Sequence, residues 1–467
     1  MEKIFEYFEK ISAIPRGSGQ EKAISDYMVE FAKSLNLEVK QDDAYNVYIY
    51  KPATAGYENS PTVILQGHLD MVWEKDNDTE FDFMTQGINM YREGDWIHAK
   101  GTTLGADNGV AIAYQMAVLS DNTLEHPAIE CFMTTEEETG MGGVANMHPE
   151  YLSGRILLNM DTGTEGKLLV SCAGGARCSL TLPITWSKAP EGYSCHKIRV
   201  RNLVGGHSGG EIHHERANAN VLMGRILEQL EDDIYLSSIN GGSKDNVITR
   251  ECEVILFAKD ESKLKETLQK LQSTFRAEYM TQDPDITLTL ESASAESISD
   301  TKIIDLLRIL PNGVQGMSHQ IENLVETSLN IGVIETTADE IKVTISLRSS
   351  VESRKTELLS KLKKIAGAVQ GVEFEAGAHY PAWSYKEDSV LRGKAQEVYK
   401  RMYGKDAKIE AKHAGLECGF LSEKLSGVDI ISIGPNMHDI HSPQERVSIS
   451  SMTRVYEYVT ELLKELK

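Results

Sequence analysis

The sequence predicts an α/β domain with a mostly parallel sheet flanked by helices, interrupted by a large α+β insertion. Three observations carry this. Short apolar runs alternate with helical periodicity over the first 170 or so residues, the pattern of strands buried on both faces of a sheet. From about residue 175 the runs become alternating, with longer amphipathic stretches among them. From about residue 381 the α/β character returns. One domain is therefore expected from 1–174 and 381–467, and an inserted one from 175–380. At 467 residues the chain can give each a core of its own.

The elements follow in order. Helical patterns cover 2–12 and 20–35. In the first, Ile4, Phe5, Phe8 and Ile11 share a face, with Glu2, Glu6 and Glu9 between them. A signal peptide needs an unbroken apolar stretch after a basic start, so a mature cytoplasmic chain is expected. Strands are predicted at 47–50, 62–66, 129–134 and 155–159, with a helix at 109–119. The insertion offers strands at 176–182, 196–200, 253–257, 286–290 and 341–347, and helices at 216–231, 261–278 and 351–368. They fall into two blocks of similar outline. The last part reads as a helix at 387–403, a strand at 408–412, a strand at 429–434 and a final amphipathic helix at 450–466.

The chain carries 48 basic and 70 acidic side chains, a net charge of −22. Such a field repels nucleic acid and anionic membrane, and no apolar run is long enough to span a bilayer. The six cysteines form no C-x-x-C pair; they read as small buried hydrophobes in a reducing compartment.

Five segments could carry chemistry, and each follows a strand or opens a helix. Gln66-Gly67-His68-Leu69-Asp70 ends the strand at 62–66. In extended chain, positions i and i+2 share a face, so Asp70 can orient the His68 ring. Asp107 lies in Gly101–Gly109, where it serves as a helix N-cap or as a carboxylate shared by two cations. Glu136, Glu137 and Glu138 end the strand at 129–134 before a glycine turn, where self-repulsion argues against an ordinary solvated charge run. Asp161 follows the strand at 155–159, and His438 and His441 follow that at 429–434. Open α/β sheets place ligands beyond the carboxyl ends of their strands. His68, Asp107, Glu138, Asp161 and His441 are too many ligands for one tetrahedral ion. They suit two divalent ions about 3.5–4 Å apart sharing a carboxylate. Gly140–Ala145 also fits a dinucleotide fingerprint, but three adjacent glutamates would repel a pyrophosphate.

These segments resemble the two-zinc aminoacylase and carboxypeptidase superfamily of metallopeptidases, and within it the bacterial aminoacyl-histidine dipeptidases, which include β-alanyl-histidine hydrolases. The similarity also rests on Cys172–Gly175, Gly205-Gly206-His207-Ser208-Gly209, His413-Ala414-Gly415-Leu416-Glu417-Cys418-Gly419 and His441-Ser442-Pro443, all in family order. The resemblance implies a zinc-peptidase catalytic domain carrying a lid and dimerisation domain. It assigns His68 and Asp161 to one zinc, Glu138 and His441 to the other, and Asp107 to both, with a cis peptide after Asp107. Mn²⁺ or Co²⁺ would substitute. Asp70 would orient His68, Glu137 would be the general base, and Glu136 would act from behind the ligands. His207 would stabilise the oxyanion, reaching the metals by closure of the insertion or from a partner subunit. Arg348 and, more weakly, Asn246 would bind the substrate, a small peptide, in a homodimer. The same metal centre would serve an N-acyl or carbamoyl amino-acid amidohydrolase or an aminopeptidase. A silent zinc-binding protein is the non-enzyme alternative, which the intact Glu137 argues against.

Overall fold

The computed structural model describes residues 2–299 and 302–467. They form two compact units. The first comprises the chain up to Ser171, Tyr385–Ala411 and Leu416–Lys467; the second comprises Cys172–Ser384 and Lys412–Gly415. The junctions thus fall at 171/172 and 384/385, against 174/175 and 380/381 from sequence. The short segment Lys412–Gly415 joins the second unit without any signal in composition.

The first unit is built on an eight-stranded sheet. Its order is Glu38–Gln41, Val47–Lys51, Ile129–Thr134, Val63–His68, Ile156–Asn159, Asp429–Ser432, Lys167–Cys172 and Lys408–Lys412. The four central strands, Ile129–Thr134, Val63–His68, Ile156–Asn159 and Asp429–Ser432, pair in parallel. Every residue of Val63–His68 and Ile129–Thr134 is buried, which is why both read as mainly apolar runs, Glu130 being the one charge within them that precedes the strand ends. The flanks, Glu38–Gln41 on Val47–Lys51 and Val47–Lys51 on Ile129–Thr134, are antiparallel. The sheet is therefore mixed, with a parallel centre.

The helix Ala106–Ser120 is buried from Asn108 to Leu119 and lies against Val63–His68 and the helix Glu2–Ser12. A helix buried all round is a central one. Gly67 permits the close approach: a Cβ there would sit 2.7 Å from the Ala111 Cβ. A small sheet of Met437–His438, Arg446–Ser448, Trp96–Ala99 and Met90–Glu93 fastens the C-terminal loop to the same unit. No helix among the described residues is long and apolar enough to cross a membrane.

The second unit is α+β. Its large antiparallel sheet runs Thr287–Ser292, Ser194–Arg201, Cys252–Ala258, Ile234–Gly241, Val325–Thr336, Glu340–Ser349, Gly174–Pro183 and Glu373–Tyr380, with Gly313–Met317 beside Val325–Thr336. Ala219–Leu230, Glu261–Glu278, Lys302–Ile309 and Glu352–Ala368 contribute to one core with this sheet. The two blocks meet at one register pair, Gly241 opposite Ile334.

Candidate metal centre

The carboxyl ends of the four parallel strands lie along one edge of the first unit. They present His68, the Glu136–Glu138 turn, Asp161 and the loop to His441. His68 Nε2 is 3.1 Å from Asp107 Oδ1 and 3.9 Å from Asp161 Oδ1. His441 Nε2 is 3.5 Å from Asp107 Oδ2 and 2.8 Å from Glu138 Oε1. The two oxygens of one carboxylate thus face two different imidazoles. Donor atoms of His68, Asp107 and Glu138 lie within 4.8 Å of one another. The peptide between Asp107 and Asn108 is cis.

Asp70 organises the segments around these residues. Its carboxylate lies 3.3 Å from His68 Nδ1. It also accepts from Ser18 Oγ at 2.7 Å and from the backbone N–H groups of Glu137 and Glu138 at 3.1 and 3.2 Å. One fully buried carboxylate therefore sets both an imidazole and the glutamate turn. Glu136 starts that turn at φ 52°, its N–H held by Glu21 Oε1 at 3.0 Å. Its own side chain is exposed, while Glu137 and Glu138 are half-buried.

The charges in this pocket call for a cation. Burial pushes the Glu137 carboxyl up to about 8, with Glu417 and Glu138 adding repulsion against the attraction of His68. Hydrogen bonds to Asp107 and Glu138 push His441 up to about 10. Burial opposes the charging of His68, yet its contacts with Asp107 and Asp70 hold it well above its usual range. Carboxylates that draw protons onto both imidazoles would be neutralised by divalent ions instead. Imidazole mixed with carboxylate is the donor set such ions take. The residues present fit two of them.

The profile of peptidase family M20/M25/M40 matches residues 64–465, a span that runs through every one of these segments. This chain belongs to the M20 peptidase family. It is 38% identical over 472 aligned residues to the cytosol non-specific dipeptidase of Escherichia coli, across 99% of this chain and 97% of that protein. The crystal structure of aminoacylhistidine dipeptidase from Vibrio alginolyticus superposes with a TM-score of 0.93 at 36% identity, over 99% of this chain and 96% of that one. An aminopeptidase from Bacillus cereus, at 14% identity and a TM-score of 0.59 over 100% and 98% of the two chains, shares the fold.

The other sequence-predicted residues of this M20 peptidase lie in the second unit. His207 Nδ1 accepts from the N–H groups of Gly209 and Gly210 at 3.1 and 2.9 Å. That fixes the tautomer with the proton on Nε2. Burial and the Arg348 charge lower its pKa, so the ring is a neutral donor. Arg348 is 9% exposed and donates to Tyr380 Oη at 2.5 Å; its Nε, buried, has no hydrogen-bond partner. A Cβ on Gly209 would lie 2.9 Å from His207 Cε1 and 3.1 Å from Arg348 Nε, so these two side chains share one patch. Asn246 contributes differently: its side chain is exposed, and its backbone carbonyl accepts from Ser208 N–H at 2.9 Å.

Several buried polar residues of the two units escaped the sequence reading. Asn108 joins three ligand segments: its Oδ1 accepts from His68 N–H at 3.1 Å, and its Nδ2 donates to Met160 O at 2.9 Å. Glu417 is buried behind the strand ends, accepting from Gln66 Nε2 at 2.5 Å and Thr134 Oγ1 at 2.7 Å. Burial lifts its carboxyl to about 7. His413 is buried in the second unit with Ser328 Oγ 2.7 Å from its Nε2, and burial beside Arg348 lowers it to about 3. Both belong to the segment His413–Gly419, which the resemblance used without assigning them a role. The fingerprint Gly140–Ala145 opens only a single helical turn, Gly142–Ala145, too short for the helix on which a pyrophosphate rests.

Proposed function

We propose that this M20 peptidase hydrolyses dipeptides at a two-metal centre held by His68, Asp161, Asp107, Glu138 and His441, with Glu137 as general base. The observation that carries it is Asp107, whose two oxygens face the imidazoles of His68 and His441. Two relatives that are alike over nearly their whole length and are named dipeptidases support the substrate class. One of those names is non-specific and the other specifies an aminoacyl-histidine. The range we assign is therefore broad and includes Xaa-His dipeptides such as β-alanyl-histidine. Zinc is the assigned ion, with Mn²⁺ or Co²⁺ as substitutes. A cytoplasmic homodimer formed through the inserted unit completes the reading.

Bound ions would bring a water's pKa toward neutrality and polarise the scissile carbonyl. Glu137 takes the proton from the attacking water and returns it to the leaving nitrogen, so acid and base are one carboxyl. Asp70 keeps both His68 and the Glu137 backbone in place. His207, with its proton fixed on Nε2, is assigned to the developing oxyanion. Arg348 is assigned to the substrate's terminal carboxylate, which its planar fork matches. Asn246 is assigned a lesser polar contact.

The experiment is a substrate panel with Zn²⁺, Mn²⁺ and Co²⁺: dipeptides with and without C-terminal histidine, their C-terminal amides, tripeptides and N-acetyl amino acids. Dipeptides with a free carboxylate should be turned over best. Equal rates on dipeptides and their amides would favour an aminopeptidase with the same centre, and preference for N-acetyl amino acids would favour an amidohydrolase.

Arg348→Ala should raise KM for dipeptides on the order of 10²-fold or more, because removing one partner of a buried charge pair costs about 2–5 kcal/mol. The variant's discrimination against amidated dipeptides should shrink. Unchanged KM would detach Arg348 from the substrate.

A further inference from the structure

Arg16 follows the first helix in an ordinary-looking stretch, Ala13-Ile14-Pro15-Arg16-Gly17, yet it is 1% exposed. Its guanidinium is spent on backbone carbonyls. Nη1 donates to Leu69 O at 3.0 Å and Asp70 O at 3.1 Å, and Nη2 donates to Gly105 O. Asp70 O also lies 3.1 Å from His68 Nδ1. The carbonyl that takes the arginine therefore faces His68 Nδ1 together with the Asp70 carboxylate at 3.3 Å, leaving Nε2 toward Asp107.

Glu445 does the complementary task. It is 2% exposed, four residues beyond His441. Its Oε2 accepts from the N–H groups of Leu104 and Gly105 at 2.8 and 2.9 Å, and its Oε1 from Asp107 N–H at 3.2 Å. Arginine grips the Gly105 peptide by its carbonyl and glutamate grips the same residue by its N–H. Gly105 sits at φ +69°, and a Cβ there would come within 2.5 Å of Arg16 Nη2. The segment carrying Asp107 is thus clamped between two buried opposite charges, and the clamp ties three segments together: 68–70, 104–107 and 441–445.

A buried arginine or glutamate is costly unless its charge and hydrogen bonds are answered. Glu445 is the strongest attraction on Arg16, followed by Asp70, Asp107 and Glu138, while Glu445 itself is answered by the backbone N–H groups of Leu104, Gly105 and Asp107. Arg16 is therefore the resident positive charge beneath a pocket of carboxylates.

We propose that Arg16 and Glu445 are positioning residues that hold Asp107 and His68 in ligand geometry before any ion arrives. The assignment rests on the two-metal reading above. Partners behind metal ligands typically contribute 10–100-fold in ion affinity, and a lysine cannot reproduce the two-pronged grip.

The test uses the full chain as Arg16→Lys and as Glu445→Gln. Each is stripped of metal and compared with the parent by circular dichroism and thermal melting. Zn²⁺ affinity is then measured against a chromophoric chelator, and the visible spectrum of the Co²⁺ form is recorded. In variants whose metal-free melting matches the parent, affinity for at least one ion should fall about 10-fold or more, with an altered Co²⁺ spectrum. Parental affinity and spectrum in a folded Arg16→Lys or Glu445→Gln would overturn the proposal. So would a loss of affinity no larger than the loss of folded protein. Should Arg16→Lys fail to fold, the nearly isosteric Glu445→Gln decides alone. A parent chain that binds fewer than two ions would instead sink the two-metal reading itself.

Discussion

Glu137→Gln is expected to lower kcat by about 10²–10⁴-fold, the usual contribution of a general acid–base group, with ion content unchanged. The amide keeps the size of the side chain and cannot accept a proton. Its backbone anchor, the N–H on Asp70 Oδ1 at 3.1 Å, is untouched, so the turn should hold its shape. Glu138→Gln is the control. The carboxylate of Glu138 touches His441 Nε2 at 2.8 Å, so that change should weaken ion binding first and turnover in consequence. Metal analysis beside steady-state kinetics separates the two. Near-normal turnover in Glu137→Gln would move the base elsewhere, with Glu136 the next suspect.

Asp107→Ala should have the other large effect. One carboxylate faces both imidazoles, at 3.1 Å from His68 and 3.5 Å from His441. Its loss should weaken both ions together, whereas Asp161→Ala or His441→Ala should weaken chiefly one. Ion-assisted stabilisation is worth several kcal/mol, so activity should fall by on the order of 10³-fold or more. Titration calorimetry of the metal-free variants reads the stoichiometry directly. An Asp107→Ala protein that still binds two ions with parental affinity would rule out a shared carboxylate.

The parts of the centre legible in the sequence are those written in a contiguous signal. A strand buried on both faces is a short apolar run, and the sheet's parallel centre puts the polar residue after each run on one edge. His68, Glu137, Glu138 and Asp161 are found this way. The illegible parts are contacts between distant residues. Nothing about Arg16 announces a partner at Gly105, and nothing about Glu445 announces Leu104. Edge strands such as Glu38–Gln41 and Met90–Glu93 are largely exposed and carry no apolar pattern. Val325–Thr336 was missed for another reason. It buries Glu326, Ser328 and Asn330, polar residues that disguise a central strand. Asn330 is satisfied by Asp245 O and Val247 O at 2.9 and 2.8 Å, partners that only the folded chain supplies.

The residues assigned to the ions run from His68 to His441, in a chain of 467. Domains generally fold as they leave the ribosome, N-terminal parts first. Here the sheet cannot be completed that way. The strand Asp429–Ser432, which pairs with Ile156–Asn159, and His441 and Glu445 after it are translated among the last. A nascent chain carrying His68, Asp107, Glu138 and Asp161 still lacks one imidazole and half of the clamp on Asp107. On the two-metal reading, peptide-bond cleavage would await the last-translated segment, and a chain ending before His441 would lack one of the residues assigned to the ions.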